Sequence, residues 1–397
     1  MSTRPDGVAF MFHYGHGHAT QLENFRECVP PEYADRTAWI SLRGDSSGSR
    51  LARLPFVPPR KRYGLHYAWN GYNGLRQRNG WKALFIAGAP PSFIPLLLRH
   101  RTFVYNDLTP SLCASLAPWY PKPGSLTSWR GRLRNRMYHL AEGVFTMSRW
   151  AADGHIKDFG LAPERVRVSL PGANLKRWRF VDRRGRSDNR PIRILMVGGQ
   201  FRLKGGELIL RWAEETRLRN WELDIVTWPS ELPEWVLESL AHPEPYSRAS
   251  ASLSPRLPNV RVHCGMFANT PELMALFEEA DIFCLPTQAD GSSIASLEAM
   301  ACGLPVLVGG VGGIPELIED GKTGFLMKRS DQMDMNAKLE RLICDRDLRL
   351  QIGESARQSC EDYYNVPRQL REIMDVIDAD SRPPGATWTE DESRARR

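Results

Sequence analysis

Short apolar runs closed by turn residues recur along the chain, and segments with helical spacing lie between several of them. "GVAFMFHYGHGHATQLENF" begins as an apolar run, passes through a Gly/His turn and continues with helical character, which predicts a β-loop-α opening. "WKALFIAGAP", "RTFVYNDLTP", "AEGVFTMSRW" and "ERVRVSLPGANLKRW" predict further buried strands ending in loops. The charged, aperiodic stretch "RFVDRRGRSDNRP" reads as a linker, after which "IRILMVGGQ" restarts the pattern. "WELDIVTW", "VRVHCGMF", "ADIFCLPT" and "GLPVLVGG" supply the later strands. Residues from Asp331 to about Asp378 read as helical, with a bend near Tyr363 and Tyr364. Strands alternating with helices predict parallel sheets of the α/β class. Two α/β domains follow, residues 1–185 and 186–378, with 379–397 as a disordered tail. In such sheets a ligand sits at the carboxyl ends of the strands, so the loops named above should face a cleft between the domains.

Composition narrows the class. The 397 residues are 42% hydrophobic and 25% charged, as expected of a globular chain long enough for two cores. No apolar run reaches the length of a membrane span, and the opening residues lack the apolar region of a signal peptide. The expected location is the cytoplasm. Seven cysteines without CxxC or zinc spacing predict reduced thiols, most of them in the core. The net charge of +7 conceals a division: 29 basic and 12 acidic residues up to Arg186 give +17, and 24 against 34 thereafter give −10. So basic a first half predicts a phosphate-bearing partner or, failing that, a solvated surface.

Two loops carry candidate chemistry. In "MVGGQFRLKGGELIL" a strand ends at Gly198 and Gly199, the loop holds Arg202 and Lys204, and two glycines open a helix. Helix N-terminal amides and cations aimed at one place suit a diphosphate; an ordinary strand-helix connection is the other reading. In "ADGSSIASLEAMACGLPVLVGGVGGIPELIEDGKTGF", Asp290 precedes a glycine, Glu298 lies on the next helix, and Gly310, Gly312 and Gly313 allow close backbone approach. Carboxylates accept hydrogen bonds from sugar or ribose diols; a helix carboxylate paired with a neighbour is the alternative for Glu298.

The same stretch closely resembles the donor-site signature of retaining GT-B glycosyltransferases of the large group-1/family-4 type, which includes bacterial mannosyl- and glucosyltransferases. That pattern has two glutamates separated by seven residues, an "EAMACGLPV" helix and strand, and a "GGIPE" loop. Upstream, "VHCGMFANTPELMALFEEAD", "VGGQFRLKGG" and "RVRVSLPGANLKRW" are similar to other motifs of the family, so that the resemblance covers most of the chain from Val144 to Leu326. "GHGHATQLENFREC" is a looser match to its N-terminal glycine loop, with Gly15 and Gly17 as the corresponding donor-side glycines.

The resemblance implies a GT-B fold and transfer of a sugar from a nucleoside-diphosphate sugar to an acceptor hydroxyl, with retention at the anomeric carbon. It implies that Glu298 holds the ribose and Lys204 the diphosphate. Gly198, Gly199, Ile294, Gly312, Gly313 and Ile314 would line the donor, and Ser292 and Ser293 would donate to its oxygens. Two positions depart from the pattern. Asp290 stands for the first glutamate, and Gly199 stands where the family carries an arginine, a role that Arg202 would take from within the loop. No cofactor or metal is implied, because cations and helix dipoles stabilise the departing diphosphate. The other readings are an inactive GT-B protein that binds a nucleotide sugar or a partner, and a sugar-nucleotide epimerase.

On the acceptor side, His16 and His18 lie in the first loop, His13 reads as structural, and Asp107 follows a strand and points at the cleft. Together with Asp290, Arg202 and Lys204, Asp107 and His18 complete the catalytic candidates. "PWYPKPGSLTSWRGRLRNRMYHL" interleaves Trp119, Tyr120 and Trp129 with Arg130, Arg132, Arg134 and Arg136, and "LPFVPPRKRYG" adds a second basic patch. Such stretches suit a glycan or lipid-linked acceptor or the anionic inner face of a membrane, and a purely structural helix is the alternative. Nucleic acid is not the expected partner.

Overall fold

The computed structural model describes residues 7–13, 17–42, 81–88, 101–116, 129–187, 189–238, 249–252 and 257–379. Gly15, His16, Trp119, Tyr120, the patch "LPFVPPRKRYG", the side chains of Trp129 and Arg130, and the tail from residue 380 lie outside them. The described residues form two lobes, each built on a parallel sheet.

In the first lobe, β1 (Val8–His13), β2 (Thr37–Leu42), β3 (Ala83–Ala87), β4 (Thr102–Asn106), β5 (Gly143–Thr146) and β6 (Val166–Val168) lie in the order β2-β1-β3-β4-β5-β6, all parallel. Its helices are α1 (Gly17–Cys28), α2 (Pro31–Ala34), α3 (Pro110–Leu116), α4 (Trp129–Leu140) and α5 (Arg149–Phe159). Val8 to Phe12 and Ala83 to Ala87 are buried throughout, and residues of α1 and of a later helix, Val366–Ala379, pack against Phe10, Phe12 and Phe85 on one face. That is why these strands read as unbroken apolar runs.

The second lobe has β7 (Ile192–Val197), β8 (Trp221–Thr227), β9 (Ala249–Ser252), β10 (Val260–Cys264), β11 (Ile282–Leu285), β12 (Val306–Gly309) and β13 (Phe325–Met327), in the order β13-β12-β11-β7-β8-β10-β9. Only β9 runs antiparallel to its neighbour. The helices are α6 (Gly206–Glu215), α7 (Glu234–Leu237), α8 (Pro271–Glu279), α9 (Ile294–Ala301), α10 (Gln332–Cys344), α11 (Arg346–Asp362) and α12 (Val366–Ala379). β2, β9 and β13 were not anticipated from the apolar pattern. The bend expected at Tyr363 and Tyr364 separates α11 from α12.

Two domain assignments change. Helix α12, expected in the second lobe, buries Val366, Leu370, Ile373, Met374 and Ile377 in the core of the first, among Phe10, Phe25 and Phe85. Ala379, expected in the tail, ends that helix. The chain crosses between lobes where Ala173 and Asn365 pair; Ala173 donates to the Tyr364 carbonyl at 2.8 Å and accepts from Val366 N–H at 3.2 Å. The stretch read as a linker is a strap on the second lobe. Buried Arg183 donates to the carbonyls of Phe277, Ala280 and Cys302, and Arg186 to those of Glu279 and Ala280. These guanidiniums satisfy the open carbonyls that end α8 and α9. Burial and the neighbouring Arg186 push the Arg183 guanidinium down to about 10.

The cysteines are unpaired, and Cys28, Cys264, Cys284, Cys302 and Cys360 are buried. Among the described residues no helix is long and apolar enough to cross a membrane.

Candidate active site

Three loops at the carboxyl edge of the second sheet are bonded into one floor. The loop after β11 joins the loop after β7 through Gln288 N–H to the Leu203 carbonyl at 2.8 Å and Thr287 Oγ1 to the same oxygen at 3.3 Å. The loop after β12 joins it through Gly313 N–H to the Gly291 carbonyl at 3.1 Å. Gly312 has φ +59°, and a Cβ there would lie 1.9 Å from the Asp290 carbonyl oxygen. Only glycine lets this loop lie so close to Asp290.

On that floor the Lys204 ammonium lies 2.5 Å from Asp290 Oδ2, and both side chains are largely shielded from solvent. Burial pushes the Asp290 carboxyl above its usual range; Lys204 opposes the shift, and nearby Asp107 adds to it. Asp107 comes from the first lobe, just beyond β4. A Cβ on Gly291 would lie 3.0 Å from its carbonyl oxygen and 3.3 Å from its Oδ2. The two lobes thus bring Asp107, Asp290 and Lys204 together.

Glu298 lies on α9 and is only 5% exposed. Burial pushes its carboxyl up to about 8, opposed by Arg177, and its Oε1 has no hydrogen-bond partner among the described residues. A buried carboxyl with an open oxygen is costly unless something supplies donors. Ser292 Oγ is likewise buried without a partner among the described residues. Ser293, expected to donate to a ligand, caps α9: its hydroxyl accepts from Ser296 N–H and lies 2.6 Å from Ser296 Oγ. The amides of Gly313 and Ile314 are also engaged, Gly313 N–H with the Gly291 carbonyl and Ile314 N–H with the Val311 carbonyl at 3.1 Å.

Across the cleft, a Cβ on Gly17 at the start of α1 would lie 3.9 Å from Ile294 Cγ1, which places Gly17 opposite the start of α9. His18 follows it, its Nδ1 buried without a partner among the described residues. His13 packs on Gly88, in keeping with a structural part. Arg202 does not join the Lys204–Asp290 pair: it is 62% exposed and lies 3.8 Å from Glu207. Gly198 packs on the Lys204 stem, and Gly199 lies under the ring of Trp228.

Glu316, the last residue of "GGIPE", has a partner that the motif does not announce. Its carboxylate reaches the first lobe, where Oε2 accepts from Arg149 N–H at 2.7 Å and Oε1 from Trp150 N–H at 2.9 Å. These amides open α5, so the contact adds an anion to a helix N-terminus already capped by Ser148. Tyr364 donates to the Glu316 carbonyl at 3.0 Å. The quoted "GGIPE" was the available signal, but nothing local shows what its glutamate meets. Helix α4 exposes Arg132, Leu133, Arg136 and Leu140 along one side. Among the described residues no group of three or more His, Cys, Asp or Glu gathers as a metal ligand set.

Comparison with known proteins agrees with this geometry. Residues 180–359 match the family described as glycosyl transferases group 1. A D-inositol 3-phosphate glycosyltransferase of Paenarthrobacter aurescens is 30% identical over 217 residues, covering 53% of this chain and 51% of that protein. An MMP alpha-(1->4)-mannosyltransferase of Mycolicibacterium hassiacum is 28% identical over 254 residues, covering 63% and 57%. The chain spans about half the length of the curated relatives it matches. Sucrose-phosphate synthase of Thermosynechococcus elongatus superposes with a TM-score of 0.69 at 14% identity, covering 94% of this chain and 100% of that one. Anabaena Alr3699/HepE, solved in complex with UDP-glucose, gives 0.64 at 14% identity, with 94% and 99% covered. These likenesses establish the architecture as GT-B, two Rossmann-like domains facing each other across a cleft. The match to the group 1 glycosyltransferases thus falls on residues 180–359, which form most of the second lobe and include Lys204, Asp290 and Glu298.

Proposed function

We propose that the protein transfers a sugar from a nucleoside-diphosphate sugar to an acceptor hydroxyl, with retention at the anomeric carbon. The observation that carries this reading is a shielded cation at Lys204, beside Asp290, together with a buried carboxyl at Glu298, on the helix after the Asp290 loop, whose Oε1 has no partner among the described residues. A diphosphate needs the first and a ribose diol the second. Alr3699/HepE, of the same fold, was solved with UDP and with UDP-glucose, which supports a nucleotide-sugar donor here.

In this mechanism Glu298 takes the ribose hydroxyls. Lys204 turns from Asp290 toward the diphosphate, with the start of α9 behind it, and stabilises the charge that grows as the glycosidic bond breaks. No metal or cofactor is required. Asp290, released from Lys204, takes hydroxyls of the transferred sugar, and Asp107 and His18 face it from the first lobe to hold sugar or acceptor. The leaving phosphate accepts the proton of the acceptor hydroxyl on the same face. Leu133 and Leu140, 46% and 50% exposed beside Arg132 and Arg136 on α4, favour an acceptor presented at an anionic membrane surface.

The test is turnover. Each of a panel of nucleotide sugars is incubated with glycan and lipid-linked acceptors while nucleoside diphosphate release is followed. Release that depends on acceptor supports transfer; binding without release supports an inactive protein; a changed donor sugar supports an epimerase.

A further inference from the structure

At the Gly199 backbone the family pattern would place a side chain ending in a cation. Here that space is filled from the next strand. A Cβ on Gly199 would lie 2.6, 2.8 and 2.9 Å from Cε2, Cζ2 and Cδ2 of the Trp228 indole. Trp228 N–H donates to the Gly199 carbonyl at 3.1 Å, and Thr227 Oγ1 approaches the same oxygen at 3.5 Å. One residue earlier, a Cβ on Gly198 would lie 2.6 Å from Lys204 Cγ. The indole and the lysine stem therefore flank one glycine pair.

β7 and β8 run parallel with Val197 beside Val226, so Trp228 emerges at the carboxyl edge that carries the Lys204 loop. The residue is 37% exposed despite its contact with Gly199. We infer that Trp228 is a positioning residue of the donor site, its indole stacking on a planar or apolar face of the nucleotide sugar where the family pattern has a cation. An aromatic face attracts a nucleobase by stacking and the C–H face of a pyranose by dispersion, and neither needs a charge. The inference rests on the donor reading above.

Isothermal titration calorimetry tests it on the full chain with UDP, GDP, UDP-glucose and GDP-mannose, for wild type, Trp228→Phe and Trp228→Leu. Unchanged melting temperatures check that each variant folds. The wild type should bind at least one probe. Trp228→Phe should stay within about threefold of its affinity, and Trp228→Leu should bind about fivefold or more weakly, because leucine keeps apolar bulk but loses the aromatic face. Equal loss for a nucleoside diphosphate and its sugar conjugate supports stacking on the base. Loss confined to the conjugate supports stacking on the sugar. Wild-type binding with no loss in Trp228→Leu overturns the inference and leaves the donor reading standing. Absence of wild-type binding to every probe overturns both.

Discussion

The Lys204 ammonium and the Asp290 carboxylate are held 2.5 Å apart by two loops of the second lobe, and Asp107 of the first lobe adds a second carboxylate nearby. Asp290 is raised even with this cation beside it. Removing the cation should raise it further. In Lys204→Ala the folded state should then bind the Asp290 proton more tightly than wild type does. Such a proton favours folding below the unfolded value, near 3.8, and that advantage is lost as pH rises. The melting temperature of Lys204→Ala relative to wild type should fall as pH rises above about 3.8 through the range in which Asp290 ionises. A pH-independent difference would contradict the pairing.

Glu298 sets a pH window of its own. Its folded-state value is about 8 against an ordinary 4.5, so its protonated form adds stability below about 4.5 that is lost as pH rises to about 8. Glu298→Gln has no such proton to lose. Wild type should therefore lose stability relative to Glu298→Gln across that window, as read by melting temperature. Ribose hydroxyls donating to the carboxylate would favour its ionised form. Nucleotide binding near pH 7 should then release a proton, seen as a dependence of binding enthalpy on the buffer's ionisation enthalpy and absent in Glu298→Gln.

Much of this architecture could be read from the chain, for a physical reason. A parallel sheet covered on both faces demands unbroken apolar strands, and β1, β3, β4, β7 and β11 supply them. β13, at the sheet's edge, has only three residues and carries little pattern. The side of α12 that is buried is evident in its spacing, but no pattern says which lobe covers it. The same limit governs the site. Lys204, Asp290 and Glu298 stand in motifs that a ligand's chemistry explains. Ser293 offers the same hydroxyl whether it caps a helix or binds a ligand, and Glu316 and Trp228 act through partners distant in sequence or on another strand.

The Glu316 contact is the clearest link between the lobes near the site. Glu316→Ala removes two hydrogen bonds to the start of α5, each of the charged kind that contributes about 1.5–3 kcal/mol. Amide exchange at Arg149 and Trp150 should accelerate selectively, and small-angle scattering should report a larger radius of gyration if this contact holds the lobes together. Unchanged exchange at these amides would show that the latch contributes nothing.

Gly312 sets the height of the floor. Gly312→Ala forces a Cβ into the Asp290 carbonyl at a positive φ, so it should cost at least about 1–3 kcal/mol of stability and weaken nucleotide binding together. Chemical denaturation and calorimetry on the same variant check both. Full stability would mean that the loop moves aside without cost.

The most direct test of the account is titration of UDP, GDP and ADP into wild type and Lys204→Ala at pH 7. Saturable binding of at least one diphosphate to wild type, weakened about tenfold or more in the variant, is the predicted result, since a charge-assisted contact would be lost. Equal affinity in both proteins, or no binding to wild type at all, would contradict it.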